Sequence, residues 1–141
     1  GGAPSSCAAI TAVASLVRSP DVVDAAASAA TALADGIDAL TQMPGVRELT
    51  GRGCFRSVVL CDAEGHPIDA ARVAATVETI RRAGSWVYPG PSAIQVIPPV
   101  VSTVEDVERL VGNIASGLAA AGFDASGSCP TSGEPRDHVA V

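Results

Sequence analysis

The stretch AGSWVYPGPSAIQVIPP, residues 83–99, predicts two short apolar strands joined as a hairpin. Pro89-Gly90-Pro91 is typical of a turn, and Pro98-Pro99 ends the second strand because proline cannot donate a ladder hydrogen bond. The only Trp and the only Tyr of the chain, Trp86 and Tyr88, lie two residues apart and therefore share one face of a strand. The pattern is compatible with a core that is short of aromatic side chains and equally with a wall that contacts a ligand.

Helices and two further strands are predicted around this hairpin. Helical spacing of apolar residues extends over residues 5–17, from Pro20 to about Leu40, and from about Asp69 to Ala83. A last helix begins at a capping box predicted over Ser102–Glu105 and ends at Gly122. Strands are predicted over Val46–Thr50 and Phe55–Cys61, with residues 51–53 connecting them. The order α-α-β-β-α-β-β-α predicts an α+β (α/β) fold with a small antiparallel or mixed sheet covered by helices.

The composition excludes several kinds of partner. The 141 residues carry a net charge of -6, which argues against nucleic acid because binding to phosphates requires a basic face. The sequence has no polybasic patch for a membrane surface, and the apolar run Ala8–Val17 is too short to cross a bilayer. We therefore expect neither a nucleic-acid nor a membrane partner.

The basic side chains are all arginine, since the chain contains no lysine. A covalent imine between a lysine and a carbonyl cofactor is therefore excluded for this chain acting alone.

The four cysteines do not form a metal-binding pattern. None belongs to a C-x-x-C pair, and only two histidines are available to join them, so no metal site is predicted. Cys54 and Cys61 are predicted on one strand at an odd spacing, which points them to opposite faces and prevents a bridge between them. Unpaired thiols suit a reducing compartment, and the expected location is cytoplasmic.

Four segments together resemble one known enzyme family. They are GGAPSSCAA at the start of the chain, VRELTGRG at 46–53, GSWVYP at 84–89, and IQVIPP at 94–99 followed by STVEDVE. In this order and spacing they are similar to the C-terminal region of class III pyridoxal-phosphate-dependent aminotransferases, which have fold type I. The resemblance covers residues 1 to about 121.

The resemblance implies the architecture of a longer protein. It assigns residues 1–45 to lead-in helices that connect to a large domain, and residues 46–122 to the C-terminal small domain. Residues 123–141 are polar and rich in Gly and Pro, and we expect them to form a disordered tail.

The resemblance also implies a function and a set of site residues. A homodimeric enzyme would move an amino group between an amine donor and an oxo acid, using pyridoxal phosphate (PLP) held by a lysine upstream of this region. Gly1 and Gly2 would belong to the cofactor-binding segment, and no catalytic residue would lie in this chain, which would be inactive alone. Tyr88 and Gln95 occupy the positions where family members that take an α-carboxylate often have arginine, and they are the candidate substrate-binding residues. Without arginine there, the substrate is expected to lack a carboxylate at that end or to bind it by neutral hydrogen bonds.

Other interpretations stay open at this point. The chain could be a non-catalytic interaction module that keeps the fold, or part of a PLP-dependent mutase, decarboxylase or racemase of the same family. Gln95 could simply face solvent on an edge strand.

Overall fold

The computed structural model describes residues 3–123, and these form four helices and four strands in the predicted order. The helices are α1 (Pro4–Val17), α2 (Pro20–Leu40), α3 (Ala70–Arg82) and α4 (Val104–Ala120). The strands are β1 (Val46–Arg52), β2 (Phe55–Leu60), β3 (Tyr88–Gly90) and β4 (Ala93–Val96). The prediction of an α+β fold is confirmed. Of the predicted tail, only Phe123 falls within the described residues, and its side chain is buried.

The four strands form one antiparallel sheet in the order β1-β2-β4-β3. The hairpin predicted from residues 83–99 is the β3–β4 pair, and β4 in turn pairs with β2. β1 and β3 are the edges. β3 has only three residues and contains Pro89, which removes a backbone donor from that edge.

Helices cover one face of this sheet. Val58 of β2 and Ile94 of β4 lie directly opposite each other and are fully buried, as is Val96 two residues further along β4. These side chains pack in one apolar core with side chains of three helices, among them Leu33, Ile80, Ile114 and Leu118. Because side chains alternate along a strand, the residues between the buried ones point to the other face, which the described residues leave open.

The β1–β2 turn is tighter than the sequence predicted. β1 continues to Arg52, and Gly51 pairs with Arg56 inside the ladder. Gly51 has φ of 93°, and a Cβ at this position would lie 2.2 Å from the carbonyl oxygen of Phe55. Only glycine permits this approach, so a residue predicted as a connection becomes part of the strand.

The start of α4 lies one residue later than predicted. Thr103, not Ser102, is the N-cap, and its hydroxyl accepts a hydrogen bond from the N–H of Asp106. Hydrogen bonds from the hydroxyl and the N–H of Thr103 to the Asp106 carboxylate, and a contact with Arg109, lower the pKa of Asp106 below its ordinary value of 3.8. The capping box is therefore present, but it consists of Thr103 and Asp106.

Helices α3 and α4 approach each other closely at Gly117. A Cβ on Gly117 would lie 2.5 Å from both Cα and Cγ1 of Ile80. At the same place the hydroxyl of Thr79 donates to the carbonyl oxygen of Gly117 at 2.8 Å. This contact lets the two helices pack side by side over the sheet.

The cysteines differ in two respects from the prediction of unpaired thiols with Cys54 and Cys61 on one strand. Cys7 and Cys54 are free thiols, and Cys54 lies in the β1–β2 turn and not on the same strand as Cys61. Cys61 is disulfide-bonded, so the prediction of unpaired thiols is wrong for that residue. Because disulfides are rare in a reducing compartment, this bond weakens the support for the expected cytoplasmic location.

Helix α1 differs from the other helices because none of its side chains is buried. Within residues 3–123, no single helix is long and apolar enough to span a membrane. α1 and α2 meet that test only as a pair, and they are bent by 68° relative to each other.

We expect Gly117→Ala to destabilise the chain by about 1–3 kcal/mol, because the added methyl group meets the backbone of Ile80. Gly112→Ala is the matched control in the same helix, since a Cβ there meets no atom within 4 Å. That control should stabilise the chain by about 0.5–1 kcal/mol through helix propensity. Urea unfolding of both variants measures the difference, and equal effects would contradict the close contact of α3 and α4.

Asp106→Asn is expected to lower the thermal midpoint near neutral pH, since the folded state holds this carboxyl group ionised. A carboxyl group whose pKa is lowered by folding stabilises the fold above its unfolded pKa, and the effect is lost as the pH falls through the folded value. The thermal midpoint of the native chain should therefore exceed that of Asp106→Asn by a constant amount above about pH 5. In strong acid the two midpoints should be equal. Thermal unfolding monitored by circular dichroism across this range is the measurement, and a difference independent of pH would contradict the assignment.

Candidate functional site

The two candidate substrate-binding residues lie side by side on the open face of the sheet. Tyr88 of β3 and Gln95 of β4 are directly paired, and side chains in such a pair have Cβ atoms about 5 Å apart. Tyr88 is 49% exposed and Gln95 is partly buried. β4 lies between β2 and β3, so Gln95 is not on an edge strand.

A row of polar side chains continues from this pair across the sheet. Gln95 pairs with Ser57 of β2, and Ser57 pairs with Thr50 of β1. Directly opposed residues share a face, so all four strands contribute one hydrogen-bonding side chain to the open face. Among residues 3–123, no hydrogen-bond partner is found for the Tyr88 hydroxyl or the Gln95 amide, which leaves both free to bind a ligand.

Trp86 lies on the same side of the chain as Tyr88, two residues before it. It is 61% exposed, while Val87 between them is buried. The alternative that Trp86 and Tyr88 fill the core is therefore wrong for the described residues. The guanidinium of Arg81 lies 4.1 Å from the centroid of the Trp86 ring and covers one face of it, and Arg81 is itself paired with Glu78.

An open hollow of about 430 Å³ lies beside these two aromatic side chains. Its lining is mainly apolar and includes Trp86, Tyr88, Ile97 and Pro99. The one charged side chain in its lining is Asp106, whose lowered pKa keeps it a carboxylate near neutral pH. Asp106 is ion-paired with Arg109, and the lining holds no cation, so the hollow can take an apolar group more readily than a carboxylate.

The turn of the hairpin is held in place by a residue that the sequence did not single out. Ser92 has φ of 50°, which is uncommon for a residue other than glycine. Its hydroxyl donates to the carbonyl oxygen of Ile68 at 2.6 Å, and its carbonyl accepts from the N–H of Leu60 at 2.8 Å. These two bonds fix β3 and β4 to the rest of the fold, and a serine after Pro-Gly-Pro was the only signal available in the sequence.

This chain cannot hold PLP through an imine with a lysine side chain. The chain has no lysine to form the imine, and the two residues assigned to the cofactor-binding segment, Gly1 and Gly2, lie outside the described residues. Within residues 3–123, no three His, Cys, Asp or Glu side chains are grouped so that they could hold a metal ion. The row from Tyr88 to Thr50 offers a ligand neutral hydrogen-bonding side chains.

Comparison with known proteins connects this fold to transaminases. No protein-family model matches the chain, and no curated protein matches it in sequence. Among solved structures, an amine transaminase from an uncultivated Pseudomonas species, in its PLP-bound internal aldimine form, is 25% identical over 84% of this chain with a TM-score of 0.72. A transaminase with L-Ala is 19% identical over 84% of the chain with a TM-score of 0.76. The omega transaminase from Pseudomonas jessenii in complex with PMP is 18% identical over 76% of the chain with a TM-score of 0.67.

These matches extend over only part of each solved structure. The chain spans 28%, 28% and 24% of the three transaminase chains, respectively. The resemblance found in the sequence is thereby confirmed at the level of the fold: the described part of this chain folds like about one quarter of an omega transaminase.

Proposed function

We propose that this chain forms one wall of the substrate pocket in a PLP-dependent class III aminotransferase, and that it acts together with polypeptide that carries the cofactor lysine. The observation that carries the proposal is the open sheet face, on which Tyr88 and Gln95 present unpartnered hydrogen-bonding groups beside the exposed ring of Trp86. The likeness of the fold to one quarter of several transaminases supports it.

The cofactor and the residues of this chain would have different roles in the reaction. PLP, when bound, supplies the electron sink that amino-group transfer requires. The residues of this chain would bind and orient the substrate: Trp86, Ile97 and Pro99 by apolar contact, and Tyr88 and Gln95 by neutral hydrogen bonds.

The electrostatics of the wall favour an amine that has no carboxylate at this end. Neither Tyr88 nor Gln95 can form the bidentate, charge-assisted pair of an arginine with a carboxylate. Arg81, the cation beside Trp86, is paired with Glu78 and does not line the hollow. Asp106 in the lining is likewise paired, with Arg109, so the hollow offers a carboxylate no free cation.

The complete protein is proposed to be a homodimer that exchanges an amino group between an amine donor and an oxo acid. A non-catalytic interaction module with the same fold is the second candidate; the absence of lysine permits it, and the exposed apolar side chains of α1 would be its docking surface.

The test of the proposed function uses the longest natural polypeptide that contains this sequence, with any chain that co-purifies with it. It should bind PLP and exchange an amino group between an amine and an oxo acid. After borohydride reduction, mass spectrometry should find the cofactor on a lysine outside these 141 residues, because this chain has none. Decarboxylation or racemisation without exchange would contradict the reaction, and a stable complex that binds no PLP would favour the interaction module.

In that complete protein, Gln95→Arg should raise kcat/KM for donors with an α-carboxylate relative to amines without one. A hydrogen bond to a charged group contributes about 1.5–3 kcal/mol, which corresponds to a change of about tenfold to a hundredfold. Thr50→Arg is the matched control, because it adds the same charge in the same row but two strands away, about 10 Å from β4. An equal effect of both substitutions on the specificity ratio would show that Gln95 does not face the substrate.

A further inference from the structure

One face of the only Trp of the chain is covered by an arginine of α3. The guanidinium carbon of Arg81 lies over the ring of Trp86, 4.1 Å from its centroid. A guanidinium at this distance is attracted by the π electrons of the indole. Within residues 3–123, Trp86 lines the hollow of about 430 Å³ and Arg81 does not. Arg81 therefore covers the ring from a side other than the hollow.

The end of α3 brings Trp86 back over the helix that the chain has just left. The N–H of Gly84 donates to the carbonyl oxygen of Arg81 at 3.0 Å, and the N–H of Ser85 donates to that of Ile80 at 3.3 Å. These two bonds, together with φ of 104° at Gly84, are those of a Schellman motif, in which glycine adopts a conformation that other residues disfavour. The chain reverses at this motif, and Trp86 follows two residues after the glycine.

The backbone is anchored on both sides of Trp86. Before it, the hydroxyl of Ser85 accepts a hydrogen bond from the side-chain amide of Asn113 in α4 at 2.9 Å. After it, the side chain of Val87 is buried. The fold therefore fixes the main chain here, whereas the Trp86 ring is 61% exposed and can rotate among its staggered rotamers. A contact at the ring itself is needed to select one orientation, and Arg81 makes such a contact.

The guanidinium of Arg81 is itself oriented by a carboxylate. Glu78, one turn earlier in α3, lies 3.2 Å from Nη1 of Arg81 and 3.5 Å from Nε of Arg82. Exposed ion pairs of this kind contribute little to stability, but they can direct a rigid guanidinium. Arg82 shares the helix turn, the charge and the carboxylate with Arg81, and within residues 3–123 it covers no aromatic ring. The two arginines therefore differ in their contact with Trp86.

We propose that Arg81 is a positioning residue of the substrate wall, which holds the Trp86 ring so that its uncovered surface contacts the apolar part of the amine donor in the hollow. This inference rests on the proposed function and adds a substrate class to it: an amine with an aryl group on the reacting carbon. The volume of the hollow falls within the range of small-molecule pockets, about 300–1,000 Å³. An aryl group gains from a ring held in one orientation because aromatic pairs prefer defined stacked or edge-to-face geometries.

The first test uses the indole fluorescence of the 141-residue chain, which reports on Trp86 because the chain has one Trp. Arg81→Gln removes the cation and should raise the acrylamide quenching constant, since it uncovers one face of the ring. The anisotropy decay should also show faster motion of the ring. Arg82→Gln is the matched control, because it removes the same charge from the same carboxylate, and it should change neither quantity. Circular dichroism of each variant checks that the fold is retained.

The second test uses the complete protein with PLP and two amine donors, 1-phenylethylamine and 2-aminopropane, which differ by a phenyl group in place of a methyl group. Arg81→Gln should raise KM for 1-phenylethylamine by about twofold to fivefold, which corresponds to a cation–π contact at an exposed site. The value of kcat should stay unchanged, because the contact is made equally in the ground state and the transition state. KM for 2-aminopropane should not change.

Two further variants complete this second test. Arg81→Lys keeps a cation beside the ring and should raise KM for 1-phenylethylamine less than Arg81→Gln does. Arg82→Gln should leave KM unchanged for both donors.

Two results would overturn the proposal. If Arg81→Gln and Arg82→Gln change the Trp86 fluorescence equally, or not at all, Arg81 does not hold the ring. If Arg81→Gln changes the fluorescence but affects KM for both donors equally, or for neither, the ring does not contact the donor. A complete protein that exchanges no amino group contradicts the proposed function and with it the substrate class, whereas the fluorescence of the 141-residue chain still decides whether Arg81 holds the ring.

Discussion

The alternation of side chains along β4 is the constraint on which the rest of the structure depends. Ile94 and Val96 point into the core with no exposed surface, while Gln95 between them points to the opposite side. Because β4 pairs with both β2 and β3, the same alternation is imposed on its neighbours, and the sheet divides into a packed face and an open face. A shift of one residue in this register would bury Gln95 and expose both apolar side chains. Burial of Ile94 and Val96 therefore holds Tyr88, Gln95 and Ser57 on the open face.

The open face exposes large aromatic side chains to water, which is unfavourable unless a ligand or a neighbouring surface covers them. Trp86 and Tyr88 are about half exposed or more in a chain whose aromatic content is 3%. Large apolar surfaces that remain in contact with water commonly mark places of binding. Hydrogen bonds of Ser92 hold the hairpin turn, and the capping box at Thr103 holds the start of α4 beside the hollow. Under the proposed function this wall would orient the substrate, while the lysine that holds the cofactor would lie outside this chain.

Three glycines in the helices serve two different purposes in this chain. Gly117 lets α3 and α4 touch at Ile80, and Gly36 lets α2 approach Val111 of α4. Both contacts bring the helices together as one layer over the packed face of the sheet. Gly112 lies in the same layer but faces away from these contacts, and it opens a groove where the helix layer meets its surroundings. Helix α1, in contrast, has no buried side chain within residues 3–123.

The sequence by itself determined the order and type of the eight elements, because apolar spacing and the Gly and Pro positions are local signals. It also identified Tyr88 and Gln95 as candidate residues, since a resemblance in four short segments brought them into one pattern. Only the tertiary structure decided that these two residues are neighbours on an open face, because register depends on which strands pair and that pairing is not local. The same holds for the hollow beside Trp86, the roles of Ser92 and Gly117, and the groove between α2 and α4. Each of them arises where residues far apart in the chain meet, and a periodic pattern along the chain carries no information about such distances.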